Sequence, residues 1–121
     1  MTGWATTQNN LGNALQNQAA RTEGAAGTDL LAEAVTACRG ALTVRTRQDH
    51  PVDWAITQGN LAICELARAD RNATADPLPH LRAALEHVEA ALTVYDPEHM
   101  SYDHTKATTL RDQIKARLAE V

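Results

Sequence analysis

Along the first twenty residues, Leu11, Ala14, Leu15 and Ala19 recur at spacings of three and four, the period of one helix face. The pattern predicts a helix over about Trp4 to Arg21. Its other side is crowded with amides: Gln8, Asn9, Asn10, Asn13, Gln16, Asn17 and Gln18. Asparagine is a mediocre helix former because its side chain competes for the backbone, so helix propensity alone does not account for them. Glu23 to Gly27 breaks the pattern, and Thr28 or Asp29 is placed to cap a second helix over about Leu30 to Thr46. That helix sets Leu31, Ala34, Val35, Cys38, Ala41 and Leu42 on one stripe, as a core-facing amphipathic helix requires. Pro51 suits the first turn of a third helix, about Val52 to Ala69, whose Ile56, Leu61, Ile63, Cys64, Leu66 and Ala67 make it much more apolar than the first, so it should be central and buried. A polar linker from Asp70 to Ala75 leads to Asp76-Pro77, an N-cap with a first-turn proline, and a fourth helix over about Leu78 to Tyr95. Asp96 to Met100 forms a turn, Ser101 caps, and a fifth helix from Tyr102 carries Ala107, Leu110, Ile114, Leu118 and Val121 on one side.

The helices repeat. Trp4-Ala-Thr-Thr-Gln-Asn-Asn-Leu11 returns 50 residues later as Trp54-Ala-Ile-Thr-Gln-Gly-Asn-Leu61, with six of eight positions identical. The second helix returns as the fourth at the same offset: Ala34, Ala41, Leu42, Thr43 and Val44 become Ala84, Ala91, Leu92, Thr93 and Val94. A fixed period of this size marks a helical array. The expected architecture is one all-α domain over residues 1–121, with a first hairpin over about 4–50, a second over about 51–98 and a C-terminal capping helix over about 101–120.

Composition supports closely packed helices. The hydrophobic share is 44%, yet aromatics are only 3% and Phe is absent, so Ala and Leu supply the burial. A net charge of −4 and a pI near 5.6 argue against nucleic-acid binding, which calls for a basic face. No run approaches the roughly 18 apolar residues of a membrane span, and the N-terminus lacks the basic-then-apolar pattern of a signal peptide. Cytoplasmic location is the expectation. It agrees with Cys38 and Cys64 as buried free thiols, a disulfide between two helices being the alternative. There is no phosphate-binding glycine loop, nucleophile elbow or paired-carboxylate pattern, so no catalysis and no cofactor are expected. Among the histidines, His50, His80, His99 and His104 fall at connections or first turns, where solvation or capping is the simplest reading. The five-residue separation of His99 and His104 does not match ligands on adjacent helical turns.

Helix pairs with a small residue after the Leu of the first helix resemble tetratricopeptide repeats, the TPR family. That family's pattern is Trp, two residues, Leu-Gly, two residues, Tyr, then Ala, three residues, Phe. Leu11-Gly12 and Leu61-Ala62 match its first helix, and Ala34 with Cys38 and Ala84 with Val88 match its second. Asp49-His50-Pro51-Val52-Asp53-Trp54-Ala55, followed by Asn60-Leu61-Ala62, is similar to the kinesin-light-chain-like branch. The chain departs from the pattern at the Trp position (Gln8, Gln58), the Tyr position (Leu15, Glu65) and the Phe position (Cys38, Val88). Its 50-residue period exceeds the usual unit of about 34. Leu11 to Ala34 and Leu61 to Ala84 both span 23 residues, which places the excess inside each hairpin, as longer helices and a looser turn.

The resemblance implies an α-α superhelix whose first helices line a concave groove for a protein or peptide partner. Carried over, the groove residues are Thr6, Asn9, Asn10 and Asn13, then Ile56, Gly59, Asn60 and Ile63, and Thr105, Thr108 and Asp112 on the fifth helix. Asn10 and Asn60 share one repeat position. An amide offers both donors and an acceptor, so these side chains either bracket a ligand's backbone or bridge neighbouring helices inside the stack. Trp4 and Trp54 are likewise either packing plugs between repeats or, where exposed, partner anchors. The leading expectation is a noncatalytic interaction module with no metal. The alternative is a structural self-assembly unit, or a fragment of a larger TPR-containing protein, whose uncapped N-terminal face makes a homo-oligomer.

Overall fold

A computed structural model describes residues 2–71 and 76–121. Among these residues the chain is all-α, with five helices: α1 (Thr2–Ala20), α2 (Gly24–Leu42), α3 (Pro51–Asp70), α4 (Leu78–Leu92) and α5 (Ser101–Ala119). The most extensive packing is α1 on α2 and α3 on α4, with α2 on α3 and α4 on α5 joining the pairs. No helix among the described residues is long and apolar enough to cross a membrane.

Four of the helix boundaries differ from the sequence expectation for reasons the structure makes plain. The stretch Glu23 to Gly27 does not break the chain; α2 starts at Gly24, six residues early. Glu23 is extended and Gly24 takes φ +71, a reversal that glycine makes without penalty. Gly27 is a close-approach residue, because a Cβ there would collide with the Arg71 guanidinium and the Thr22 carbonyl. Arg71, just past α3, donates to the carbonyls of Thr22 at 2.8 Å and Gly24 at 3.0 Å and to the Thr28 hydroxyl at 3.1 Å. The first turn is therefore tight and clamped, not loose. At the other ends, α2 and α4 stop at Leu42 and Leu92 because Thr43 and Thr93 turn their hydroxyls back onto the carbonyls of Gly40 and Ala90, at 2.7 and 2.6 Å. Ser101 is the first residue of α5 rather than its cap, which falls to Met100. Asp76 accepts from the Leu78 amide at 3.1 Å, but the cap position of α4 falls one residue later, at Pro77, while residues 72–75 of the expected linker lie outside the described residues.

The 50-residue period holds in three dimensions. The turn after α2 makes Thr43 N to Gly40 O, Arg45 N to Ala41 O, His50 N to Thr46 O and Trp54 N to His50 O. The turn after α4 makes the same four bonds from Thr93, Tyr95, Met100 and His104. Between those turns most side chains differ, so backbone geometry carries the repeat where identity has faded.

Two three-helix joints form the core. In the second, Ala62 of α3, Val88 of α4 and Ile114 of α5 are fully buried in one cluster. Their counterparts 50 residues earlier are Gly12, Cys38 and Cys64. Both cysteines are buried and free, and they share a cluster with Leu61, Ala34 and Val35. The Cys64 thiol is pushed up by hydrogen bonding to Cys38 and by burial, so it stays protonated. Gly12 is required by proximity, since a Cβ there would overlap the Cys38 sulfur and sit 3.1 Å from the Ala34 carbonyl.

A polar seam runs along α3 and α4. Gln58 and Glu65, both buried on α3, face His87 and His80. His87 Nδ1 lies 2.6 Å from Gln58 Oε1, an acceptor, so this nitrogen carries the proton. Glu65 Oε1 is 3.1 Å from Arg68 and 3.4 Å from His80 Nδ1. His80 is thus half-buried against a carboxylate rather than solvated. Burial lowers the His87 pKa below its ordinary 6.5, against the opposing pull of Glu65 and Glu86.

Two predictions follow from this core. Gly12→Ala would gain about 1 kcal/mol of helix propensity, but overpacking against Cys38 costs about 1–3 kcal/mol. Urea unfolding should show a net loss; a gain would mean α1 and α2 are further apart than described. Because folded His87 binds its proton less readily than the unfolded chain, acid favours unfolding, and stability falls as pH drops below 6.5. His87→Gln keeps a polar partner for Gln58, so the loss between about pH 7 and pH 5 should shrink. An unchanged slope would remove His87 as a source of the acid sensitivity.

Candidate functional site

The residues drawn from the family groove separate into two environments. On the α1–α3 side they tie helices together. Asn9 Oδ1 accepts from Asn60 Nδ2 and from the Thr57 hydroxyl, each at 3.0 Å. The Thr6 hydroxyl lies 2.5 Å from Arg45 Nη2, and the same guanidinium pairs with Asp53 at the start of α3. Arg45 is only 9% exposed, so it is a buried strut between α1 and α3. Asn10 and Asn13 are exposed on α1. The asparagine that bridges is thus Asn9, one residue before the repeat position shared by Asn10 and Asn60.

The α3–α5 side is open. A groove of about 580 Å³ runs between these helices and is floored by Val88 and Tyr95 of and beyond α4. Four of the expected residues, Ile56, Gly59, Asn60 and Ile63, line its α3 wall together with Leu66. The α5 wall is Lys106, Ala107, Thr109, Leu110 and Gln113, with Asp103 at one end. Thr105, Thr108 and Asp112 do not line it; Thr108 turns its hydroxyl to the His104 carbonyl at 2.8 Å. The correct register was available in the period. Adding 50 to Ile56, Gly59, Asn60 and Ile63 gives Lys106, Thr109, Leu110 and Gln113, all four of which face the groove. Thr105 and Asp112 instead sit at the counterparts of Ala55 and Ala62, which bury against α4; α5 has no such partner, and both are exposed.

The two sides differ at one repeat position. Arg45 in the first turn corresponds to Tyr95 in the second, and Asp53 to Asp103. Arg45 reaches across to Asp53 and Thr6 and fills the gap, whereas Tyr95 lies in the groove floor, 8% exposed. Burial, and then the negative charge of Asp103, pushes its phenol up to about 12. At neutral pH it is an uncharged donor. At the far end, Asp70 is paired with Arg117 of α5, which ties the two walls together.

Chemically the groove offers apolar burial with a few hydrogen-bonding groups. Its size lies within the roughly 300–1,000 Å³ of small-ligand and side-chain pockets. Ile56, Ile63, Leu66, Ala67 and Leu110 supply the apolar walls, and Asn60, Tyr95 and Gln113 can meet backbone groups. Among the described residues the lining includes no histidine, serine or cysteine, and so no nucleophile with an adjacent imidazole base. Among the described residues, no three His, Cys, Asp or Glu side chains gather to hold a metal. His99 is exposed and contacts Asp96, whose carboxyl is lowered by that contact and by the Glu98 amide. Of the two tryptophans, Trp54 is half-buried against the second core cluster with the Arg47 guanidinium 5.9 Å from its ring centre. Trp4 is 43% exposed and leans on Gly40.

Comparisons of the chain with family models, with curated proteins and with solved structures find no match.

Proposed function

We propose that this chain is a noncatalytic, TPR-like interaction module that holds a peptide or protein segment in the groove between α3 and α5. The observation that carries the reading is the groove itself. A wall of Ile56, Ile63 and Leu110 is left uncovered beside a first joint that polar side chains have closed. A chain that leaves one inter-helix gap apolar and open, while filling the equivalent gap, has a surface suited to an apolar ligand. A bound segment would insert one or two apolar side chains over Val88 and Tyr95. The Asn60 and Gln113 amides and the Tyr95 hydroxyl would take its backbone groups. Recognition of this kind depends on shape and apolar burial more than on charge, since Asp103 and Lys106 oppose each other along the same wall.

A displayed library of random peptides, selected against the whole chain, tests the reading. Enriched peptides should carry paired apolar residues, and Ile63→Glu or Leu110→Glu should weaken them at least about tenfold, or 1.4 kcal/mol, with helicity by circular dichroism unchanged. Selected peptides that bind both variants as well as the parent chain would move the site elsewhere.

A further inference from the structure

The internal repeat shows what belongs on a surface that stands open in this chain. Leu61 of α3 is fully buried, at 0% exposure, beneath Ala34, Val35 and Cys38 of α2. Its counterpart in α1, Leu11, is 45% exposed. Around Leu11 runs a shallow trough of about 480 Å³ lined by Gln8, Leu15, Ala32, Glu33, Thr36 and Ala37. Fifty residues on, Gln8, Leu11 and Leu15 become Gln58, Leu61 and Glu65, all buried. The chain therefore holds two copies of one seat, and only the second is occupied.

On its α1 wall the empty seat has the composition of an interface centre, while Glu33 is the one charged residue of its α2 wall. Across its 19 residues, α1 contains no charged side chain, although the chain as a whole carries 26 acidic and basic residues in its 121 (15 Asp and Glu, 11 Lys and Arg). Charged residues are depleted from the centres of protein interfaces, and aromatic residues are enriched there. Trp4 stands on the same helix face, one, two and three turns before Gln8, Leu11 and Leu15, half open over Gly40.

We infer that the α1–α2 trough docks an α-helix of a partner molecule, one that presents small or β-branched apolar residues at positions i, i+1 and i+4 as α2 does with Ala34, Val35 and Cys38. The occupied seat supplies both the shape and the spacing. A second copy of this chain does not offer such a face, because α2 is already covered by α3 and α4 by α5. The opposite end of the molecule exposes Thr105, Asp112 and Ala119, which do not reproduce the pattern either. Larger side chains at the three positions would meet Leu11 too early, and a charged one would be desolvated against an uncharged helix.

The test is an anisotropy titration of the whole chain with a fluorescent peptide of the α2 sequence, residues 24–42. Cys38→Ala prevents oxidation of the probe, and a hydrocarbon staple across the exposed positions 29 and 33 keeps it helical. Saturable binding is expected, weakened at least tenfold by Leu11→Glu in the chain and by Ala34→Glu in the probe, and unaffected by Ile63→Glu in the groove. Leu11 is exposed, so its variant should keep the parent circular dichroism spectrum. A probe that is helical by circular dichroism yet shows no saturable binding up to about 1 mM overturns the inference. So does binding indifferent to Leu11→Glu. Sedimentation of the chain alone should give a monomer, and a dimer that Leu11→Glu dissociates would assign the trough to self-association instead.

Discussion

Everything in this molecule rests on a close approach of three helices, made twice. One pair of helices cannot bury its own apolar side, so each joint must bring a third helix onto the seam of the first two. At the second joint Ala62, Val88 and Ile114 meet with no exposed surface left. At the first, Gly12 gives up its side chain so that Cys38 can lie between α1 and α2 and still reach Cys64 on α3. The two solutions differ in where volume is placed. A smaller residue on the first helix is matched by a sulfur on the second, and an alanine is matched by a valine. Interiors packed this densely transmit a change of one methyl group, which makes position 12 a point where helix propensity and packing oppose each other and packing wins.

Given two equivalent joints, the side chains above them decide which can receive a ligand. Arg45 bridges Thr6 and Asp53, and Asn9 collects Asn60 and Thr57, so the surface between α1 and α3 is already satisfied by the protein itself. At the corresponding place Tyr95 makes no side-chain hydrogen bond among the described residues, and Leu110 stands where Asn10 and Asn60 stood in earlier copies. On the amide-rich face of α1 it is therefore Asn9 that ties the helices together while Asn10 and Asn13 stay exposed, and the apolar wall of α3 belongs to the groove. Asn60 serves both, donating to Asn9 while lining the open side.

The helices and their pairing were legible in the sequence, because apolar spacing and a 50-residue period both report on the core. In α5, where identity has faded, the expected groove residues Thr105, Thr108 and Asp112 fall outside the groove, although a shift of 50 from α3 gives Lys106, Thr109, Leu110 and Gln113, which line it. Local turn chemistry was less legible. Glycines at 24 and 27 read as a break, yet one reverses the chain and the other admits Arg71 from 43 residues away from Thr28, a long-range contact that no local pattern contains. The role of each asparagine was also hidden. Asn9 and Asn10 are adjacent and chemically identical, and only their angular position on α1 relative to α3 separates a bridge from an exposed side chain.

The central claim is that Asn9 and Asn60 lock α1 to α3 and so confine the open groove to the α3–α5 side. A double-mutant cycle with Asn9→Ala and Asn60→Ala, read by urea unfolding of the whole chain, tests it most directly. A direct side-chain hydrogen bond predicts a coupling of about 1 kcal/mol. Single losses that add to the double loss within about 0.3 kcal/mol would mean the two amides do not touch, and would contradict the account.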